Sequence, residues 1–151
     1  MIDLRVIIAS GFGSGFLPVA PGTWGSALAC LIALSLMGLG FWDAQMIVCI
    51  ATLLAVFAGY WSIQKLPSNW TEDDGRIVID EMAGLFISLI FVPLDIYTIG
   101  GAFILFRLFD IIKPFGIRKI DKAGSNWSVM GDDILAGIYS NFVLQLILLL
   151  L

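Results

Sequence analysis

The stretches IVIDEMAGLFISLIFV, residues 77–92, and MGDDILAGIYSNFVLQLILLLL, residues 130–151, decide how this chain is read. Each is a long apolar run that reads as a bilayer span, and each carries two adjacent acids near its start, Asp80–Glu81 and Asp132–Asp133. A carboxylate at the centre of a membrane helix costs roughly 2.5 kcal/mol or more, and less near the interface. Two such pairs at two helix starts point to a bound cation or a proton path. The plainer alternative is acids that complement the helix macrodipole in the headgroup zone. That alternative suits Asp132 and Asp133 and suits the interior of IVIDEMAG poorly. One echo links the runs: Asp80 precedes Gly84 by four residues and Asp133 precedes Gly137 by four, each glycine following an alanine. A glycine one turn on leaves room for a ligand or a neighbouring helix. The echo marks Asp80 and Asp133 as the inward-facing members of their pairs.

The rest of the composition agrees with a membrane setting. Of 151 residues, 60% are hydrophobic and 13% charged, where a soluble domain carries about 25% charged residues. The expectation is one all-α domain, residues 1–151, as a polytopic membrane protein with about four to five transmembrane helices. Candidate spans run near 24–42, 44–63, 77–94, 96–112 and 132–151, each close to the length that crosses a ~30 Å core. Asp43 and Asp95 mark two short turns. All eight basic residues, Arg5, Lys65, Arg76, Arg107, Lys113, Arg118, Lys119 and Lys122, then fall on one side, together with the acidic pairs. The positive-inside rule makes that side cytoplasmic. The N-terminus lacks a signal-peptide pattern, so the first span is expected to target the chain. A net charge of −4 argues against a nucleic-acid partner. Histidine is absent, which excludes phosphohistidine chemistry. Cys30 and Cys49 stand alone in apolar stretches and read as packing residues.

Two further constellations lie on the same side. Arg107, Asp110 and Lys113 in FRLFDIIKPFGIRK are three apart, on one face of a helix ending before Pro114. They offer an anion clamp beside a metal ligand, or else a surface ion pair with a snorkelling lysine. The segment SGFGSGFLPVAPGTWGS, residues 10–26, holds five glycines and two prolines and cannot be a regular helix throughout. It reads as a re-entrant element. Its backbone N–H groups, with the hydroxyls of Ser14, Thr23 and Ser26, could form an anion nest, or its glycines could serve close packing alone. Carboxylates for a cation, donors for an anion and an apolar bundle together suit a phosphate-bearing lipid. A cation channel or carrier is the competing class; against it, the acids cluster on one face and no comparable polar residues mark the opposite half of the membrane.

In order along the chain, SGFGSGFLPVAPGTWGS, GRIVIDEMAG, ILFRLFDIIKPFGIRKID and MGDDILAGI resemble the phosphatidylglycerophosphatase A family. The resemblance implies a bacterial inner-membrane enzyme, multi-pass, with its site facing the cytoplasm. It implies Mg²⁺-dependent hydrolysis of phosphatidylglycerophosphate, a membrane phospholipid, to phosphatidylglycerol and phosphate. The family's motifs fall on Asp80 and Glu81; on Arg107, Asp110, Lys113 and Pro114; on Asp132 and Asp133; and on Pro21 to Ser26. Gly116 and the stretch GSNWSVMGDD depart from the usual family pattern. The expected catalytic set is Asp80, Glu81, Asp110 and Asp133. The same four with Asp132 would hold Mg²⁺, and Arg107, Lys113, Ser14, Thr23 and Ser26 would bind substrate. Metal-activated water is the expected nucleophile, and an aspartyl-phosphate on Asp80 is the alternative. The sequence specifies no oligomer.

Overall fold

The computed structural model describes residues 3–71 and 74–150, and every regular element within them is helical. The elements are α1 (Leu4–Ala9), a 3-10 turn (Ser14–Phe16), α2 (Pro21–Ser35), α3 (Phe41–Ile63), α4 (Ile79–Ser88), α5 (Ile96–Ile112), α6 (Ile117–Asp121) and α7 (Asn126–Leu150). Among them α3 and α7 are long and apolar enough to cross a membrane. At 1.5 Å per residue each is roughly 35 Å long. α3 turns Ile50, Leu53, Leu54 and Phe57 outward and buries Ala44, Val48, Ala55 and Gly59. Apolar outside and small inside is the pattern of a helix between lipid and protein.

Of the other expected spans, 96–112 is helical throughout as α5, and two are shorter as helices. α2 stops at Ser35, and the chain turns at Gly38 with φ +106° before α3 begins. α4 has 10 residues and stops at Ser88. The last helix begins six residues before the expected start at 132, because Ser125 and Ser128 cap it reciprocally. Ser128 N donates to Ser125 Oγ at 3.2 Å, and Ser125 N to Ser128 Oγ at 2.9 Å. Asp132 and Asp133 therefore sit where the second turn of α7 gives way to the third, whereas Asp80 and Glu81 occupy the first turn of α4. That reverses the sequence expectation about which pair meets a helix macrodipole. The end of the expected last span, Leu151, lies outside the described residues.

α4 is the centre of the bundle: every residue of it except Glu81 is buried. α7 crosses it at glycine. A Cβ on Gly137 would overlap the carbonyl oxygen of Gly84, and a Cβ on Gly84 would lie 2.7 Å from Asp133 O and run into the Phe106 ring. The room beside each acid is thus taken by a neighbouring helix. Gly59 of α3 abuts Ile79 and Met130 in the same way.

Two amides from neighbouring helices end α4. Gln45, 1% exposed, donates to Leu89 O (3.3 Å) and Val92 O (2.6 Å) and accepts from Phe91 N (2.7 Å). Asn141 donates to Ser88 O (3.1 Å) and Ile90 O (2.8 Å). Broken backbone in apolar surroundings persists only when protein satisfies it, and here two side chains do so. Asp95 then starts α5, accepting from Tyr97 N and Thr98 N, both at 2.9 Å. No acids comparable to those of the other end lie here; the polar residues are Gln45 and Asn141, whose amide N–H groups go to backbone carbonyls, while Asn141 Oδ1 accepts from Gln145 Nε2 at 2.7 Å.

The glycine-rich segment packs against the lead-in to α4. Val78 N donates to Ala9 O at 2.9 Å. Cβ atoms on Gly15 and Gly25 would collide with the Arg76 carbonyl and with Val78. Close packing accounts for these glycines. Asp74 pairs with Arg76, and α4 starts without a side-chain cap.

Candidate active site

The acid-rich starts of α4 and α7 meet the end of α5 at one end of the bundle. Asp80, Glu81, Asp110, Lys113, Asp132 and Asp133 line a cavity of about 100 Å³, closed on one side by Asp74 and Gly75. Asp80, Asp132 and Asp133 are 7%, 7% and 4% exposed. One oxygen each from Asp80, Glu81 and Asp133 lie within 4.8 Å of one another. At that spacing each pair of charges repels by about 3–4 kcal/mol at an effective dielectric of 20. Five carboxylates share two paired cations, Arg107 and Lys113. Negative charge is in excess.

The cations are already engaged. Arg107 Nη1 lies 2.6 Å from Asp110 Oδ2 and 4.0 Å from Glu81 Oε1. Lys113 Nζ bonds Asp132 Oδ2 at 2.6 Å and also Asp121 Oδ1. Burial works against the Lys113 charge, but the bonds to Asp121 and Asp132 prevail and raise its pKa. At the rim, hydrogen bonding from Arg76 holds Asp74 down at about 2.

Several buried polar atoms remain without a partner: Glu81 Oε2, Asp132 Oδ1, Asp133 Oδ1 and the Arg107 Nε donor. An orphaned buried carboxylate oxygen costs of order 1–3 kcal/mol. Three of them around one cavity fit a hard divalent cation with oxygen ligands, and Arg107 Nε fits an anion beside it. The buried triad of Asp80, Glu81 and Asp133 could coordinate a metal. Asp110 lines the same cavity and pairs through Oδ2 with Arg107, and Asp132 is shared with Lys113.

The N-terminus of α2 reaches the same place. A Cβ on Gly22 would overlap Glu81 Oε1 and lie 3.2 Å from Arg107 Nη1. Thr23 follows, half-buried, in the first helical turn. The Ser26 hydroxyl is fully buried and donates to Gly22 O (2.9 Å), and the Ser14 hydroxyl donates to Gly11 O (2.9 Å). Both protons serve the local backbone. Asp121 and the Asp74–Gly75 rim escaped the sequence reading. For Asp121 the one available signal was its place eight residues after Lys113, across the Pro-Phe-Gly turn.

Known proteins resemble this arrangement in sequence. The family pattern described as phosphatidylglycerophosphatase A matches residues 7–148. A Bacteroides thetaiotaomicron protein, provisionally named a phosphatidylinositol-3-phosphatase, is 46% identical over 91% of this chain and 89% of its own. Phosphatidylglycerophosphatase A of Haemophilus influenzae is 43% identical over 91% of this chain and 84% of its own. The Escherichia coli protein of that name is 35% identical over 93% and 81%. No solved structure matches. A match of this length, carried by relatives over most of their own chains, identifies the protein as a member of the phosphatidylglycerophosphatase A family.

Proposed function

We propose that this protein is a Mg²⁺-dependent lipid phosphatase that hydrolyses phosphatidylglycerophosphate to phosphatidylglycerol and phosphate. The observation that carries the reading is the set of unpartnered buried oxygens on Glu81, Asp132 and Asp133 beside Arg107 Nε. A lipid-phosphatase function agrees with the family and with the named relatives.

In this reading Asp80, Glu81 and Asp133 hold the metal, with Asp132 and Asp110 next to them. A bound divalent cation supplies charge neutralisation at phosphate oxygens and lowers the pKa of a water. Arg107 and Lys113 bind phosphate oxygens, with Thr23 at the start of α2. Ser14 and Ser26 support that segment through their backbone bonds. Asp110 orients Arg107. Tight burial of the acids keeps bulk water from competing for the phosphate.

The chain sits in the bacterial inner membrane with this end toward the cytoplasm. Support comes from the positive-inside reading of the eight basic residues in the sequence and from α3 and α7, each long and apolar enough to cross a membrane. Gln45 and Asn141, being bonded to backbone, argue against an ion path through the bundle.

Phosphate release from phosphatidylglycerophosphate in mixed micelles tests the reading. Release with Mg²⁺ and none with EDTA is expected; no release from folded protein in either condition contradicts it. Acid quench during single turnover of radiophosphate-labelled lipid tests the nucleophile: protein free of hydroxylamine-labile label is expected for metal-activated water, and label on Asp80 would establish an aspartyl intermediate. The 46% identical relative motivates a second substrate in the same assay, phosphatidylinositol 3-phosphate. Faster release from it would move the headgroup assignment.

A further inference from the structure

We infer that Asp121 is a positioning residue: it fixes the Lys113 ammonium at the cavity rim so that one N–H is free for a phosphate oxygen. The inference rests on the phosphatase reading above for the nature of the anion.

Lys113 is the last residue of its helix region and lies in the left-handed conformation, φ +50°, bonded through its N–H to Phe109 O at 2.8 Å. Phe115 (φ +48°) and Gly116 (φ +94°) follow in that conformation too, which non-glycine residues rarely adopt. Such a turn persists only when its surroundings hold it. Here α6 does so, anchored by the fully buried Ile117. The fold thus spends disfavoured backbone to bring Asp121, at the end of α6, back onto Lys113.

An ammonium has three donors and no acceptor. Lys113 gives one to Asp132, inside the cavity, and one to Asp121. Asp132 lines the cavity and Asp121 does not. Without the outer bond, a flexible lysine beside five carboxylates would swing inward and neutralise groups that otherwise face a cation. With it, the ammonium is held between Asp132 in the cavity lining and Asp121 outside it, and its third N–H points to neither partner. Asp121 therefore acts on phosphate through Lys113 and touches no reacting atom.

The test is a double-mutant cycle. Inorganic phosphate is titrated calorimetrically into the detergent-solubilised protein in saturating Mg²⁺. The proteins are wild type, Asp121→Asn, Lys113→Met and the double variant, with Asp121→Glu as the conservative replacement. Exchanging the charge-assisted hydrogen bond for one to a neutral amide oxygen predicts phosphate binding about tenfold weaker in Asp121→Asn. The KM for the lipid should rise by a similar factor, with kcat and the Mg²⁺ requirement changed much less. Asp121→Glu should recover most of the loss, and the double variant should be no worse than Lys113→Met alone. An equal loss in the Lys113→Met background overturns the inference, as does unchanged phosphate affinity in folded Asp121→Asn. If Asp121→Asn fails to fold, Asp121→Glu and Asp121→Ser carry the same comparison. Wild type that binds phosphate yet releases none from lipids would sink the lipid-phosphatase reading while the cycle still decides Asp121. Wild type that binds no phosphate overturns the inference.

Discussion

At its last turn α4 leaves no polar debt, while at its first turn polar atoms stay unpaired. Gln45 and Asn141 satisfy the carbonyls of Ser88, Leu89, Ile90 and Val92 and the N–H of Phe91. Glu81 Oε2 and, facing it from α7, Asp132 Oδ1 and Asp133 Oδ1 have no partner. The same short helix under the same apolar cover is thus finished at one end and unfinished at the other. Native proteins satisfy buried polar atoms nearly everywhere. An end that could have been closed and was not is where a ligand belongs. The finished end reads as structure and the unfinished end as function.

The sharpest way to break this contrast is to neutralise the unfinished end. Asp80→Asn and Asp133→Asn should each lower phosphate release by about 10³-fold or more, a barrier increase of about 4 kcal/mol. Neither should lower the unfolding temperature, since each relieves repulsion between acids. Thermal melts beside the phosphate assay check both halves. A variant that loses stability in proportion to activity would erase the distinction.

The glycine crossing joins the two ends and comes next. Gly137→Val would push a side chain into the Gly84 carbonyl. It should cost about 3 kcal/mol of stability, read from denaturant unfolding in detergent. At the finished end, Asn141→Leu and Gln45→Leu each strand two carbonyls. Each should cost about 1–2 kcal/mol and leave kcat per folded molecule within a few-fold of wild type.

The smallest effect lies at the rim. The Asp74 pKa is depressed from 3.8 to about 2 by Arg76. Its contribution to stability is complete above about pH 4 and is lost as pH falls through about 2. Asp74→Asn should flatten that part of the stability curve slightly, the Arg76 side chain being one-third exposed and the pair therefore partly screened. Unfolding midpoints between pH 5 and pH 2 measure it.

Much of the acidic end was legible in the sequence because charge in an apolar run is conspicuous. Asp80, Glu81, Asp132 and Asp133 stood out at once, and Arg107, Asp110 and Lys113 followed from helical spacing. What spacing could not reveal was pairing between elements. Asp121 meets Lys113 only because a left-handed turn folds α6 back. Helix ends were less legible. IVIDEMAGLFISLIFV has no proline before Pro93, and α4 ends at Ser88 because amides 44 and 53 residues away make the ending tolerable. In α7 the start moved outward because Ser125 and Ser128, plain polar residues in sequence, cap each other in three dimensions. The Ala-Gly echo was visible, and its meaning as a helix crossing needed the structure.

Manganese binding followed by EPR in detergent, with no lipid present, bears most directly on the unfinished end. Mn²⁺ takes the same oxygen ligands as Mg²⁺. Saturable binding to wild type that is competed by Mg²⁺, lost in Asp80→Asn and Asp133→Asn and kept in Asn141→Leu, is the predicted result. Binding of equal affinity in wild type and Asp80→Asn would contradict the assignment of the metal to these acids.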